Sequence, residues 1–520
     1  MKNRCFDGSN LPLIGLFLLV ILIFHISLLA GCISPLKNTG QANLTLQPMT
    51  PTSQPTIIPA LAPDPAARTV YVRFDTSHPG TEIPDDFLGL SYEAPQINNR
   101  AFYPNVTSYI QLLRNLGPGV LRFGGNSVEF TYYIDNGSDA NEGAKDIIQP
   151  ADLNRVFSFA SDAGWKVILG LNLGHYDPQM AADEAAYASA NNNGSLLAFE
   201  IGNEPDLFMR NGLRPADWNY NDFNQEFDAY RMAILAQDPG VPIDGPVTAY
   251  DYNFFSHFLQ NENQNVTFAS THLYALSFNP DMSPSNPRYA TIDHLLSDTT
   301  CEWEKTTVGQ FVADAARYHI PLRFAETNTA TGARAGTGIV DNVSPTFATS
   351  LWSADYLFIL ADEGVVGANF HGGFTRGGFT PLYFDGEEYR PAAEYYGMLF
   401  FHQAGTGHPI PVTADPTAGI SIHSVLDDDG TLHVALINRD LSQPMTVVIP
   451  VNGVGTASVM RLSAPSVTAA SGMTLGGAEV APDGSWNPQV IESLAVHNGE
   501  IRVALPAASA AMVTLSGLSP

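Results

Sequence analysis

From Arg68 onward, short apolar runs alternate along the chain with amphipathic stretches, the pattern of repeated βα units. The runs predict strands at Leu88–Tyr92, Val120–Phe123, Lys166–Leu171, Leu197–Ile201, Pro242–Val247, Phe268–Leu273, Leu322–Ala325 and Gly367–Phe370. Helices are expected between them, among others at Ser108–Leu116, Ala151–Ala163, Phe223–Gln237, Val308–Tyr318 and Phe347–Asp362, with a last one near Ala392–Gln403. Eight such pairs predict an α/β fold, a (β/α)8 TIM barrel over residues 88–405. After Gly405 the period drops to two, in Ile420–Val425, Leu432–Ile437, Thr446–Ile449, Ile501–Leu505 and Met512–Leu515, broken by Gly, Asp and Pro. Residues 406–520 are therefore expected to form a C-terminal antiparallel β-sandwich. The alternating run Thr69–Phe74, within residues 68–87, has the same character and is expected to join it.

The first 67 residues follow neither pattern. Lys2 and Arg4 precede an apolar stretch from about Leu11 to Leu29, a basic n-region before an h-region. A single membrane anchor is the other reading of that stretch. Leu29-Ala30-Gly31-Cys32 resembles the lipobox of bacterial lipoproteins, which implies cleavage before Cys32 and acylation of its thiol. Residues 1–32 are thus expected to be a lipoprotein-type signal peptide, and the remainder an exported, membrane-anchored chain facing the exterior or the periplasm. Residues 33–67, rich in Pro, Thr and Ser, read as a solvated, semi-extended linker.

Composition narrows the partners. With 24 Lys+Arg against 52 Asp+Glu the net charge is −28, yet only 15% of residues are charged, so the imbalance is a scarcity of bases. Nucleic acid is not an expected partner, and a membrane is met only through the N-terminal lipid or anchor. Of three cysteines, Cys5 and Cys32 lie in the leader, so no disulfide framework supports the fold. The chain shows no His-Glu-x-x-His, no P-loop, no paired-Cys spacing and no dinucleotide-binding context; neither metal nor cofactor is expected.

In a barrel of this type chemistry gathers at the C-terminal ends of the strands. The fourth apolar run continues as Glu200-Ile201-Gly202-Asn203-Glu204-Pro205, and the seventh as Ala325-Glu326-Thr327-Asn328. Two glutamates at strands four and seven, the first held by a rigid Asn-Glu-Pro turn, suit glycosidic cleavage: one carboxyl protonates the leaving oxygen while the other attacks or stabilises the anomeric carbon. A retaining mechanism would set the two carboxyls about 5–5.5 Å apart, an inverting one roughly 6.5–9.5 Å.

Asn203-Glu204-Pro205 and Glu326-Thr327-Asn328, with a β-sandwich behind the barrel, resemble the large clan of retaining (β/α)8 glycoside hydrolases. Phe123-Gly124-Gly125-Asn126, Phe199–Asp206 and Glu326-Thr327 resemble, within it, the heparanase and β-glucuronidase family, glycoside hydrolase family 79. The resemblance runs from about Arg68 onward and implies that Glu204 is the acid/base and Glu326 the nucleophile.

Around these two, Asn203 can donate to the sugar 2-hydroxyl or cap a turn. Tyr274, in His272-Leu273-Tyr274, either hydrogen-bonds Glu326 and keeps it ionised or is a buried structural tyrosine; His272 is a supporting residue of the same run. Arg122 either favours an ionised Glu326 from inside the barrel or pairs within the core. Tyr92 and Glu93 at strand one, Asn126, Tyr250 after strand five and His371 after strand eight are candidate sugar contacts, each with the alternative of an ordinary loop residue. The tyrosines that meet the uronate carboxylate in the family are not evident: Thr331 and Phe379 stand where they are expected. Amides at Gly332 and Gly377, with Arg334 or Arg376, are the candidates to replace them.

The expected activity is removal of single β-linked glucuronic acid groups from oligosaccharides or other glycosides, because a molecule at −28 repels a long sulfated polymer. A β-xylosidase or α-arabinofuranosidase of the same clan, and an inactive carbohydrate-binding surface lipoprotein, are the alternatives.

Overall fold

The computed structural model describes residues 54–135, 144–332 and 341–519, apart from the side chains of Val454, Leu518 and Ser519. The lipobox cysteine Cys32 and Arg334 lie outside the described residues. Eight parallel strands close into a barrel: β1 (Leu88–Glu93), β2 (Gly119–Gly124), β3 (Trp165–Leu171), β4 (Leu196–Ile201), β5 (Ile243–Thr248), β6 (Phe268–Ser277), β7 (Leu322–Thr331) and β8 (Gly367–His371). Eight helices accompany them: α1 (Thr107–Asn115), α2 (Pro150–Ala163), α3 (Pro178–Asn191), α4 (Tyr220–Gln237), α5 (Tyr252–Glu262), α6 (Asp298–Ala316), α7 (Phe347–Asp362) and α8 (Ala393–His402). A short turn of helix, Ile292–Leu295, precedes α6.

The barrel strands are near-continuous apolar runs because a parallel sheet inside a ring of helices is covered on both faces. Helix starts follow local chemistry: Asp177 caps α3 through the Met180 N–H at 3.0 Å, and Asn219 with Asp222 forms a capping box on α4. α7 is buried over almost its whole circumference, since it lies between the barrel and the C-terminal domain.

β6 and β7 are longer than their apolar runs predict. They continue as a paired ribbon from Ala269↔Leu322 out to Ser277↔Thr331, with a register shift between Thr271 and His272. That irregularity sets His272 opposite Glu326.

The C-terminal part is two packed sheets. One follows the order Thr56–Pro59, Val490–Leu494, Asn452–Ser463, Ser509–Ser519, Leu432–Asn438, Ile420–Leu426, His408–Pro409; the other follows Val412–Asp415, Arg68–Phe74, Met445–Pro450, Glu500–Leu505. Two details depart from expectation. Thr56–Pro59, in the segment read as a solvated linker, is a paired edge strand, although its side chains remain exposed. The sandwich is also not wholly antiparallel: Thr56–Pro59 runs parallel to Val490–Ser493, and Arg68–Val70 parallel to Met445–Val447. Both parallel pairs are made by the N-terminal strands, which enter from before the barrel. No helix among the described residues is long and apolar enough to cross a membrane.

Candidate active site

Arg122 organises the barrel mouth. It is fully buried on β2, and all its N–H groups are directed at acceptors. Nε and Nη2 donate to Glu200 on β4, Nη2 also to Asn203 Oδ1 at 2.7 Å, and Nη1 to Ser91 Oγ and Glu326 Oε2, each at 2.9 Å. A guanidinium suits this place because its planar fork serves three acceptor directions at once. Arg122 thus pairs with Glu200 in the core and with Glu326 at the mouth.

Glu326 is 6% exposed. Burial opposes its charge, but His371, His272, Arg122 and a 2.6 Å hydrogen bond from the Tyr274 hydroxyl together hold its carboxyl well below the usual carboxylate range. The Tyr274 hydroxyl is correspondingly pushed far up, first by burial and then by the facing carboxylate, so it remains a donor. His272 and Tyr274, two residues apart on β6, share a strand face. His272 Nδ1 lies 3.0 Å from Glu204 Oε1, while Tyr274 reaches Glu326. His371 at the end of β8 is 3.0 Å from Ser91 Oγ and 3.6 Å from Glu326 Oε2.

Glu204, less buried than Glu326, sits just beyond β4 with φ +51 and ψ +53, a left-handed conformation unusual for a residue with a side chain. One ligand atom each of Glu204, His272 and Glu326 lies within 4.8 Å of the others. The three atoms are close enough together to face one cation. The donors present nevertheless suit hydrogen bonding better: Arg122 already supplies the positive charge on Glu326, and His272 faces Glu204. Asn203 is buried; its Oδ1 accepts from Arg122 Nη2, and its Nδ2 donates to Asn126 Oδ1 at 3.5 Å.

The Gly124-Gly125 pair is dictated by crowding. A Cβ on Gly124 would come within 2.8 Å of the Arg122 guanidinium carbon, and one on Gly125, at φ +69, within 2.5 Å of Glu93 Oε2. Glu93 accepts from the Ser127 N–H and hydroxyl, so it holds the turn that presents the exposed Asn126; its other oxygen is 3.9 Å from His371 Nε2.

Other candidates are placed differently. Tyr92 is a correction: it is 2% exposed, its hydroxyl pairs with that of Tyr109, and its ring stacks on Phe374 at 4.8 Å, so it is core rather than a sugar contact. Tyr250 is 65% exposed, with its hydroxyl 3.5 Å from Arg210 rather than on the glutamates. Arg376 is exposed, 5.5 Å from the centre of the Tyr383 ring. Gly332 (φ +92) directly follows β7, and Gly377 (φ +94) lies in the open loop after β8. Phe379, where a tyrosine was expected, meets Tyr274 edge-on at 6.0 Å.

Sequence reading missed several residues that build the site. Ser91 and Glu200 are buried acceptors of Arg122, and Asn328 donates to the His371 carbonyl at 2.6 Å, fixing β7 against β8. Glu129 and Asp206 bind backbone N–H groups around Glu204. Glu200 did have a signal: a carboxylate at the penultimate position of β4, inside an apolar run, calls for a buried cation, and Arg122 is the one charge in the β2 run.

Comparison with known proteins now bears on this geometry. Residues 423–512 match the model of the glycosyl hydrolase family 79 C-terminal beta domain. Over these residues the chain resembles glycoside hydrolase family 79. A β-glucuronidase of Neurospora crassa is 24% identical to this chain over 488 residues, covering 83% of this chain and 85% of the relative. Among solved structures, a 4-O-α-L-rhamnosyl-β-D-glucuronidase from Fusarium oxysporum superposes with TM-score 0.71 at 22% identity, over 86% of this chain and all of that chain. A family 51 arabinofuranosidase from Xanthomonas axonopodis pv. citri gives 0.64 at 16%, over 86% and 100%. These likenesses carry the barrel-plus-sandwich architecture.

Proposed function

We propose that the protein is a glycoside hydrolase that removes β-linked glucuronic acid from glycosides with retention, Glu326 acting as nucleophile and Glu204 as acid/base. The observation that carries this is the pairing of a deeply buried carboxylate, held ionised by His371, His272, Arg122 and Tyr274, with a second carboxyl whose oxygen lies within 4.8 Å. That spacing suits attack by Glu326 on the anomeric carbon while Glu204 gives its proton to the departing oxygen; the inverting distance would leave room for a water between them. A glycosyl ester on Glu326 then forms, and Glu204, now a carboxylate, takes a proton from the water that hydrolyses it. Asn203 Nδ2, whose bond to Asn126 Oδ1 is long at 3.5 Å, is our candidate donor to the sugar 2-hydroxyl.

The glucuronide preference is supported by the family 79 C-terminal match and the Neurospora relative. Arg376, which makes no ion pair among the described residues, with the Gly377 amide, is our candidate for the uronate carboxylate; Arg334 and Gly332 belong to the same proposal. We also propose export and lipid anchoring at Cys32, to be tested by loss of radiolabelled palmitate from a Cys32→Ala chain. Hydrolysis of nitrophenyl β-glucuronide, β-xyloside, β-glucoside and α-arabinofuranoside tests the main reading: the glucuronide should turn over fastest, and a faster pentoside would replace it with the arabinofuranosidase or xylosidase reading.

A further inference from the structure

We propose that Glu129 is a positioning residue for the acid/base, fixing the backbone at Asn203–Glu204 without touching substrate; the inference rests on the reading of Glu204 given above. Glu129 lies in the turn after β2 and is 3% exposed. One carboxylate oxygen accepts the Asn203 N–H at 2.6 Å; the other accepts the N–H groups of Leu173 at 3.0 Å and Gly174 at 2.5 Å, in the loop after β3. The carbonyls of Leu173 and Gly174 are held in turn by Arg214 at 2.8 and 2.9 Å, and Arg214 pairs with Glu226 on α4. One buried carboxylate therefore ties together the loops that follow β2, β3 and β4.

The space around it is made for it. A Cβ on Gly174 would come within 2.6 Å of Glu129 Cβ, and one on Gly202, at φ +77, within 3.4 Å of Glu129 Oε1. The strand β4 must turn sharply here, and the residue after Asn203 is in the left-handed region, at a cost of about 1–2 kcal/mol. Such a conformation persists only where neighbours over-determine it. The Glu204 N–H is fixed by the Val247 carbonyl at 2.9 Å, and Asp206 accepts N–H groups from Ala249, Tyr250 and Asp251. Those two anchors bind Glu204 to β5. On the other side the Gly202 N–H reaches the Leu171 carbonyl of β3 at 2.9 Å, and Glu129 ties the Asn203 N–H to the loop after β3.

Burial pushes the Glu129 carboxyl up to about 8, while the Asn203, Gly174 and Leu173 N–H groups and then Arg214 favour its ionised form; with three N–H donors facing it, both of its oxygens serve as acceptors. In Glu129→Gln one oxygen becomes an NH2 group facing N–H donors, so either the Asn203 bond or the Leu173 and Gly174 bonds are lost. Displacement of Glu204 by about an ångström is worth up to roughly a hundredfold in rate. It should fall on substrates that need protonation. The experiment compares phenyl β-glucuronide, a poor leaving group, with 2,4-dinitrophenyl β-glucuronide in wild type, Glu129→Gln, Glu129→Asp and Glu204→Gln. For Glu129→Gln, kcat on the phenyl substrate should fall at least about tenfold more than on the dinitrophenyl one, with KM little changed. Glu129→Asp, which keeps two acceptor oxygens, should move back toward wild type, and it is read by the same ratio if the Gln variant does not fold. Equal losses on both substrates, or a lowered melting temperature with the ratio unchanged, would overturn the proposal. If Glu204→Gln itself shows no leaving-group dependence, the acid/base reading fails instead.

Discussion

His423 locks the sandwich onto the barrel, and its contribution can be worked from its surroundings. The ring is buried, lies 5.2 Å from the Phe358 ring at 12° to it, and sends Nδ1 to Asp362 Oδ2 at 2.6 Å and Nε2 to Asp355 Oδ1 at 2.9 Å. Burial disfavours its charge, but Asp362 and Asp355 outweigh burial and raise it from 6.5 to about 9. Despite burial, the Asp355 carboxyl stays below its usual value, held there first by the His423 hydrogen bond and then by Arg439 and Ser421 from the sandwich side. A shift from 6.5 to about 9 corresponds to about 3 kcal/mol at 1.36 kcal/mol per pH unit. Because the folded value is the higher, this stability is fully present below about pH 6.5 and is lost as pH rises through about 9. His423→Gln removes the charge while keeping one N–H donor. Urea unfolding of both proteins between pH 6 and pH 10 should show wild type ahead by a margin that shrinks by about 3 kcal/mol across the range. A margin that does not vary with pH would refute the imidazolium lock, whatever its size.

Three further outcomes follow from the site. Arg122→Met removes a cation from Glu326 and strands the buried Glu200; kcat/KM for an aryl glucuronide should fall at least about a hundredfold, and the acidic limb of its pH profile should move to higher pH as the Glu326 carboxyl loses its counter-charge. Gly125→Ala places a methyl against Glu93 at a positive φ, so it should cost about 1–3 kcal/mol in urea unfolding and weaken substrate binding through the displaced Asn126 turn. Arg376→Ala should raise KM for the β-glucuronide by about tenfold or more while leaving the β-glucoside unaffected; an unchanged KM would remove Arg376 from uronate recognition.

The barrel was legible because each strand is a continuous apolar run, and the two glutamates were legible because polar residues directly after such runs stand out. The second layer was not. Glu129 and Ser91 are ordinary in sequence and gain their roles from partners 74 and 31 positions away, Asn203 and Arg122. Tyr92 ends β1 as a mouth residue would, yet packing against Phe374 and Tyr109 turned it inward. Thr56–Pro59 carries no buried side chain, so nothing in its pattern distinguishes an edge strand from a linker. The length of β6 and β7 was missed because their last residues pair beyond the barrel, where polar side chains are tolerated.

The central claim is that Glu326 forms a covalent bond to the sugar while Glu204 handles the proton. Incubation with a 2-deoxy-2-fluoro-β-glucuronosyl fluoride, which slows breakdown of a glycosyl ester more than its formation, followed by intact-mass and peptide mapping, tests it most directly. One fluoroglucuronosyl group on the peptide carrying Glu326 is the predicted result. A label on any other residue, or turnover of the natural glycoside to the inverted anomer with no label formed, would contradict it.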